Sequence, residues 1–167
     1  IKGKGTTNFL NIITTNYILW LKNGESFYSF ILGRDGEVMD DVMVYKRSQN
    51  NYFLVCNCLN EEKIWRWLNS VDSKKVILKN LRGEETILAL QGPNSLSILK
   101  KVIAKKDIKK LEKLEKKGFI DSSIARKKVI IACTGYTGEK IGFELYPPCK
   151  RAGFIWNLLL EKGKGYG

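Results

Sequence analysis

The sequence predicts an α+β fold of antiparallel sheets flanked by helices, divided into two sub-domains. Three observations carry that expectation. Short β-branched and aromatic runs such as "SFYSFIL", "EVMDDVMVYK" and "YFLVCN" follow one another across turn-forming links. Helical and strand-like segments alternate, but hairpin links outnumber long crossovers, which disfavours a doubly wound parallel sheet. The composition changes between Leu81 and Glu85. Residues 1–82 are therefore read as a ferredoxin-like α+β sub-domain. Residues 83–167 are read as a second antiparallel α+β sub-domain, incomplete at its C-terminal end.

Each element has its local reason. In "TTNFLNIIT", Phe9, Ile12 and Ile13 recur at helical spacing. The next two runs are joined by Gly33-Arg34-Asp35-Gly36, and Asp-Gly is a strong hairpin signal. "RSQNN" then leads into "YFLVCN", so the three runs form a meander. Asn60 is expected to cap a helix whose first turn holds Glu61 and Glu62, where the dipole favours acids. Ile64, Trp67 and Leu68 form its apolar face. "KKVILKNL" and "ETILALQG" read as strands. Pro93 stops the second, and Asn94 or Ser95 caps a helix carrying Leu96, Leu99, Val102 and Ile103. "GFIDSSIA", "KKVIIACTG" and "IGFELY" are further strands, and "RAGFIWNLLLEK" is a closing amphipathic helix.

Composition narrows the chemistry. The 167 residues include no histidine, so Ser-His-Asp triads, Cys-His pairs and His-metal sites are excluded from this segment. None of Cys56, Cys58, Cys133 and Cys149 forms a C-x-x-C pair, and reduced thiols are expected rather than a zinc site or a disulfide framework. No run of 18 apolar residues occurs, so no membrane span and no membrane partner are expected. No signal peptide is visible at "IKGKGTTNF". The opening without methionine and the stop on "EKGKGYG" read as a fragment of a longer protein.

The net charge is +12, and +8 of it lies between Lys100 and Lys128. A solvated, lysine-rich helix and linker is the plainer explanation. A nucleic-acid module and a docking face for an acidic protein are the alternatives. Phe119 is the only aromatic residue in the run, whereas single-strand binders interleave stacking rings with charge, so nucleic acid is not expected as a partner.

Two stretches point to a site. In "VMDDVMVY", strand alternation sends Asp40 with Val38, Val42 and Val44, and Asp41 with Met39, Met43 and Tyr45. At least one carboxylate then sits among hydrophobes, unless a bulge or loop releases both to water. Burying an ionised carboxylate is costly unless it is hydrogen-bonded, so the pair marks a structural network or a functional site. In "CTGYTGEKIGFELYPP", Gly135 and Gly138 flank Tyr136 and Thr137 in a tight turn, and the strand that follows presents Glu144. An ordinary hairpin loop is the alternative. The motif lacks the order of a phosphate-binding loop.

Taken together, "SFYSFILGRDGEVMDDVMVYKR", "YFLVCNCLNEEK", "LALQGPNSLSIL", "TGYTGEKIGFELYPP" and the closing "IWNLLLEKGKGYG" resemble the T protein family of the glycine cleavage system. These are tetrahydrofolate-dependent aminomethyltransferases, and the similarity runs through essentially the whole chain. The resemblance implies the two sub-domains of the folate-binding aminomethyltransferase fold, without the N-terminal start and the C-terminal barrel. It implies an intracellular, monomeric enzyme, bacterial-cytoplasmic or mitochondrial. That enzyme takes an aminomethyl group from the lipoyl arm of H protein, releases ammonia and gives methylene-tetrahydrofolate. Tetrahydrofolate is a co-substrate, held in a cavity between three domains, and no metal is implied.

Carried over by motif, the resemblance makes Asp41 the catalytic carboxylate and Glu144 the ligand of the pterin amino and ring nitrogens. Tyr136, Tyr28, Tyr45 and Asn57 fall on positions that line the same cavity. Three departures stand out. Cys133 replaces a frequent Arg, Lys140 and Ile141 replace a single residue, and Asp35 and Glu37 flank Gly36 where Gly-Gly is common. A fragment of this kind is expected to be inactive alone. A folate-dependent iron–sulfur assembly factor and the folate domain of a sarcosine-type or dimethylglycine-type oxidase are the related alternatives.

Overall fold

A computed structural model describes residues 1–71, 74–135, 138–139 and 141–166. The chain divides into two units, Ile1–Asn80 and Leu81–Gly167. Each contains an antiparallel sheet with helices beside it, the α+β class that the strand and turn pattern predicts.

In the first unit, α1 (Thr6–Ile13) buries Thr6, Phe9, Leu10 and Ile13, one helical face at i, i+3, i+4 and i+7. Strands β1 (Ser26–Leu32), β2 (Val38–Ser48) and β3 (Asn51–Val55) pair antiparallel in the order β1-β2-β3. A ferredoxin-like sheet interleaves four strands; among the described residues this sheet has three in consecutive order. The turn between β1 and β2 closes through the Gly33 N–H, which donates to the Glu37 carbonyl at 2.9 Å. Gly36 sits at φ 82°, a left-handed conformation that glycine adopts without strain. Helix α2 (Glu61–Ser70) buries Ile64 and Leu68. Together with Ile18, Ile31, Val42, Val44 and Tyr52, these residues form one core.

Two expectations change here. Asn60 occupies the N-cap position of α2 but makes no side-chain cap bond: it ends the 3-10 turn Cys58–Asn60 with helical backbone angles rather than the extended ones of a capping residue. "KKVILKNL" is not a ladder strand. Ile77 exchanges backbone bonds with Lys2 at 2.9 and 2.7 Å in an isolated bridge, while Val76 and Leu78 pack on the core from an otherwise unladdered backbone.

In the second unit, β4 (Leu88–Gln91), β5 (Phe119–Ile124), β6 (Lys127–Ala132) and β7 (Gly142–Tyr146) pair antiparallel in the order β4-β7-β6-β5. The β5–β6 turn places Ala125 and Arg126 at φ 47° and 64°, the backbone of a primed hairpin turn without its usual Asn-Gly. Helices α3 (Ser95–Val102), α4 (Ile108–Glu112) and α5 (Cys149–Gly163) contribute Leu99, Leu111 and Ile155 to a core shared with Ile124, Ile131 and Leu145.

The basic run contains a short lysine-rich helix with its lysines exposed, as expected, and it also carries a buried acid. Lys105–Asp107 forms a 3-10 turn that leads into α4, with Lys105, Lys106, Lys109 and Lys110 exposed. Asp107 is buried. It accepts a hydrogen bond from the Ser122 hydroxyl at 2.8 Å and lies 3.4 Å from the Lys110 ammonium. The Ser122 hydrogen bond, then Lys110 and Lys106, hold the Asp107 carboxyl below its ordinary value. A carboxylate depressed in the folded state stabilises above its unfolded value, here 3.8, and that contribution is lost as pH falls through the folded value. Ser122→Ala is therefore expected to unfold more easily than wild type at neutral pH, with the gap narrowing below 3.8. Urea unfolding followed by circular dichroism across an acid series checks this, and parallel pH curves would rule it out.

Candidate functional site

Strand β2 carries both aspartates, and its alternation separates them. Asp40 shares the core side with Val42 and Val44, and Asp41 points the other way with Met43 and Tyr45. Neither lies in a loop. The register pairs Phe30 with Asp41, Tyr28 with Met43, Met43 with Val55, and Tyr45 with Phe53. Directly paired residues lie on one face, so Tyr28, Phe30, Asp41, Met43, Tyr45, Phe53 and Val55 share the face opposite the core.

Asp40 is 3% exposed. It accepts three hydrogen bonds: from the Asn57 backbone N–H at 2.8 Å, from Asn57 Nδ2 at 2.9 Å and from Asn60 Nδ2 at 2.6 Å. That network resolves the cost of burying the carboxylate. Asn57 Nδ2 also donates to Asp41 Oδ1 at 2.7 Å and lies 3.3 Å from the Asp41 carbonyl. The Tyr28 phenol lies close enough to Asp41 to be influenced by it. The Tyr28 phenol is raised above its ordinary value, first by desolvation, then by its closeness to Asp41 and the charges of Asp41 and Asp40. Burial, followed by the Asp40 charge, pushes the Cys56 thiol up to about 11. The structure thus brings Asp41, Asn57 and Tyr28 together. Tyr45 lies on the same face, fully buried, with its ring 5.7 Å from that of Phe53.

In the second unit, Glu144 is the middle residue of β7, flanked across the sheet by Ala89 and Ala132. Two alanines beside it leave its half-buried side chain room. Thr134 Oγ1 donates to Glu144 Oε2 at 2.5 Å, and the Tyr146 hydroxyl donates to the same oxygen at 3.2 Å. Gln91 Nε2 reaches over β7 and donates to the carbonyls of Thr134 at 3.2 Å and Phe143 at 3.1 Å. A Cβ on Gly142 would fall 1.8 Å from Gln91 Oε1, and one on Gly135 would fall 2.2 Å from it. Both glycines therefore leave the space that Gln91 fills. Tyr136 lies outside the described residues.

Sequence reasoning missed the roles of Gln91, Thr134 and Tyr146. The signal for Gln91 was "QGP", read only as part of a longer match. Among the described residues no group of three His, Cys, Asp or Glu is placed to hold a metal ion, and no helix is long and apolar enough to cross a membrane. A groove of about 280 Å³ lies beside Tyr17, Trp20, Leu21 and Phe27 in the first unit, and none of the candidate residues lines it.

A family model described as the GCVT N-terminal domain matches residues 1–167. A protein of Chloroherpeton thalassium named aminomethyltransferase is 38% identical over 168 residues, covering 100% of this chain and 45% of its own length. One of Bacillus licheniformis with the same name is 38% identical over 167 residues, with the same 100% and 45% coverage. The chain thus spans a little under half the length of these curated relatives. The crystal structure of glycine cleavage system aminomethyltransferase T from Bartonella henselae superposes with a TM-score of 0.76 at 24% identity. It covers 95% of this chain and 41% of that one, a likeness of fold.

The packing of Gln91 against Gly142 gives a direct test. Gly142→Ala is expected to cost about 1–3 kcal/mol through overpacking, measured by urea unfolding. In a Gln91→Ala background the same change should cost much less, because the crowding atom is gone. Equal costs in both backgrounds would show that Gln91 does not set the requirement for glycine.

Proposed function

The chain belongs to the GCVT N-terminal domain family, and on that footing we propose that it forms part of an aminomethyltransferase. The substrate pair proposed is aminomethyl-lipoyl H protein and tetrahydrofolate, with release of ammonia. The observation that carries this reading is the cluster of Asp41, Asn57 and Tyr28 at the first sheet. An ionised carboxylate only accepts hydrogen bonds. A neutral donor, the Asn57 amide, orients Asp41, and the Tyr28 phenol lies beside it. Such a carboxylate is suited to take the proton shed by an attacking nitrogen and to hand it on.

Glu144 takes the second role, as the acceptor for the donor edge of the pterin. Adjacent N–H groups on a flat ring match a carboxylate much as a guanidinium does. Thr134 and Tyr146 both donate to Oε2 and so fix the plane of that carboxylate. Tyr28, 37% exposed, offers a ring face suited to a heterocycle. The exposed lysines of the 105–110 segment support approach of an acidic partner protein by electrostatic steering. The relatives compared are bacterial, which supports a cytoplasmic setting.

The test uses the full-length protein. Tetrahydrofolate-dependent ammonia release from aminomethylated H protein is expected in wild type. It should fall by about 10²–10⁴ in Asp41→Asn, with folate binding retained. Glu144→Gln should instead weaken folate binding by about tenfold or more, read by calorimetry, because it replaces a charge-assisted acceptor. Folate binding without ammonia release in wild type would redirect the reading to a non-enzymatic folate-binding relative.

A further inference from the structure

One side-chain amide stands between two carboxylates that leave a strand on opposite faces. Asn57 Nδ2 lies 2.9 Å from Asp40 Oδ1 and 2.7 Å from Asp41 Oδ1. An NH₂ group has two hydrogens, and each aspartate takes one. The opposite orientation of the amide would set an oxygen against both carboxylates, so the two acids together dictate which way Asn57 faces.

We propose that Asp40 is a positioning residue for the transfer reaction, acting through Asn57 to hold the carboxylate of Asp41; this rests on the role given to Asp41 above. Asn57 is an exposed residue just after β3, and an exposed asparagine ordinarily samples several rotamers. Here the Asp40 carboxylate grips it twice, Oδ2 on the backbone N–H and Oδ1 on the side chain. Asn60 Nδ2 binds the same Oδ1 and stops the carboxylate from rotating. Among the described residues no lysine or arginine pairs with Asp40, so its acceptor capacity is directed at these amides. Asn60 stands immediately before α2, which ties the geometry at Asp41 to the start of the helix.

Asp40→Asn keeps the shape but turns one acceptor oxygen into a donor that faces N–H groups. In the full-length protein, kcat for ammonia release is expected to fall about tenfold to hundredfold, the scale of a small misplacement of a reacting group. The KM for tetrahydrofolate should stay within about twofold, because the loss is not one of uniform binding. In an Asn57→Ala background the same substitution should leave kcat where Asn57→Ala alone put it. An equal fall in both backgrounds would overturn the proposal.

A second measurement is independent of turnover. In protein labelled with ¹⁵N at asparagine side chains, Asp40→Asn should shift the Asn57 NH₂ resonances and speed their exchange with solvent. An unmoved Asn57 signal would also overturn the proposal. If wild type proves to have no transferase activity, the role of Asp41 fails, while the amide signal still shows whether Asp40 holds Asn57. Should Asp40→Asn not fold, Asn60→Ala loosens the Asp40 carboxylate without touching Asn57 or Asp41. It should lower kcat in the same direction, and no change in kcat or in the Asn57 signal would count against the proposal.

Discussion

A carboxylate that is almost out of reach of water has to be given hydrogen bonds, and the first unit is arranged around doing so for Asp40. Its three donors come from the five-residue stretch, Cys56 to Asn60, that joins β3 to α2. That stretch cannot move independently of β2. The strand brings the charge, the loop brings the amides, and the helix starts where the second amide is placed. Removing the carboxylate would leave three N–H groups without their common acceptor, so the network is all or nothing in character. The position of Asp41, one residue along and on the other face, follows from this anchor.

Much of the fold was legible because its signals are local. Helical spacing marks α1, and Asp-Gly with its flanking glycine marks the first hairpin. Alternation along β2 separates the two aspartates before any contact is known. What was not legible depends on distant partners. Asn60 looks like a cap from its neighbours alone, yet its amide goes to a residue 20 positions earlier. "KKVILKNL" has the composition of a strand, but a strand needs a ladder partner, and Lys2 supplies a single bridge. The β5–β6 turn carries its left-handed backbone on Ala125 and Arg126, which no turn rule selects. Of the candidate site, the acids were readable and their supports were not. Gln91 reaches groups 43 and 52 residues away, a separation beyond any local pattern.

The second unit solves a related problem by subtraction. Glu144 needs space on a strand packed from both sides, and the sheet supplies it with alanines at both neighbouring positions. Gln91 needs a path across the same strand, and Gly142 and Gly135 supply it by having no side chain. The first unit builds its acid by adding donors, and the second builds its acid by removing bulk. Both leave one carboxylate held by neutral hydrogen-bond donors in a setting where it can still accept.

The two thiols that bracket Asn57 differ in a way that has practical value. Cys56 is half-buried with an elevated pKa of about 11, and Cys58 is exposed. At neutral pH a maleimide or a spin label should therefore favour Cys58 over Cys56 without any cysteine having to be engineered. The label would sit one residue from the amide that bridges the two aspartates. The native sequence thus carries its own attachment point for an optical or paramagnetic reporter beside the acid pair.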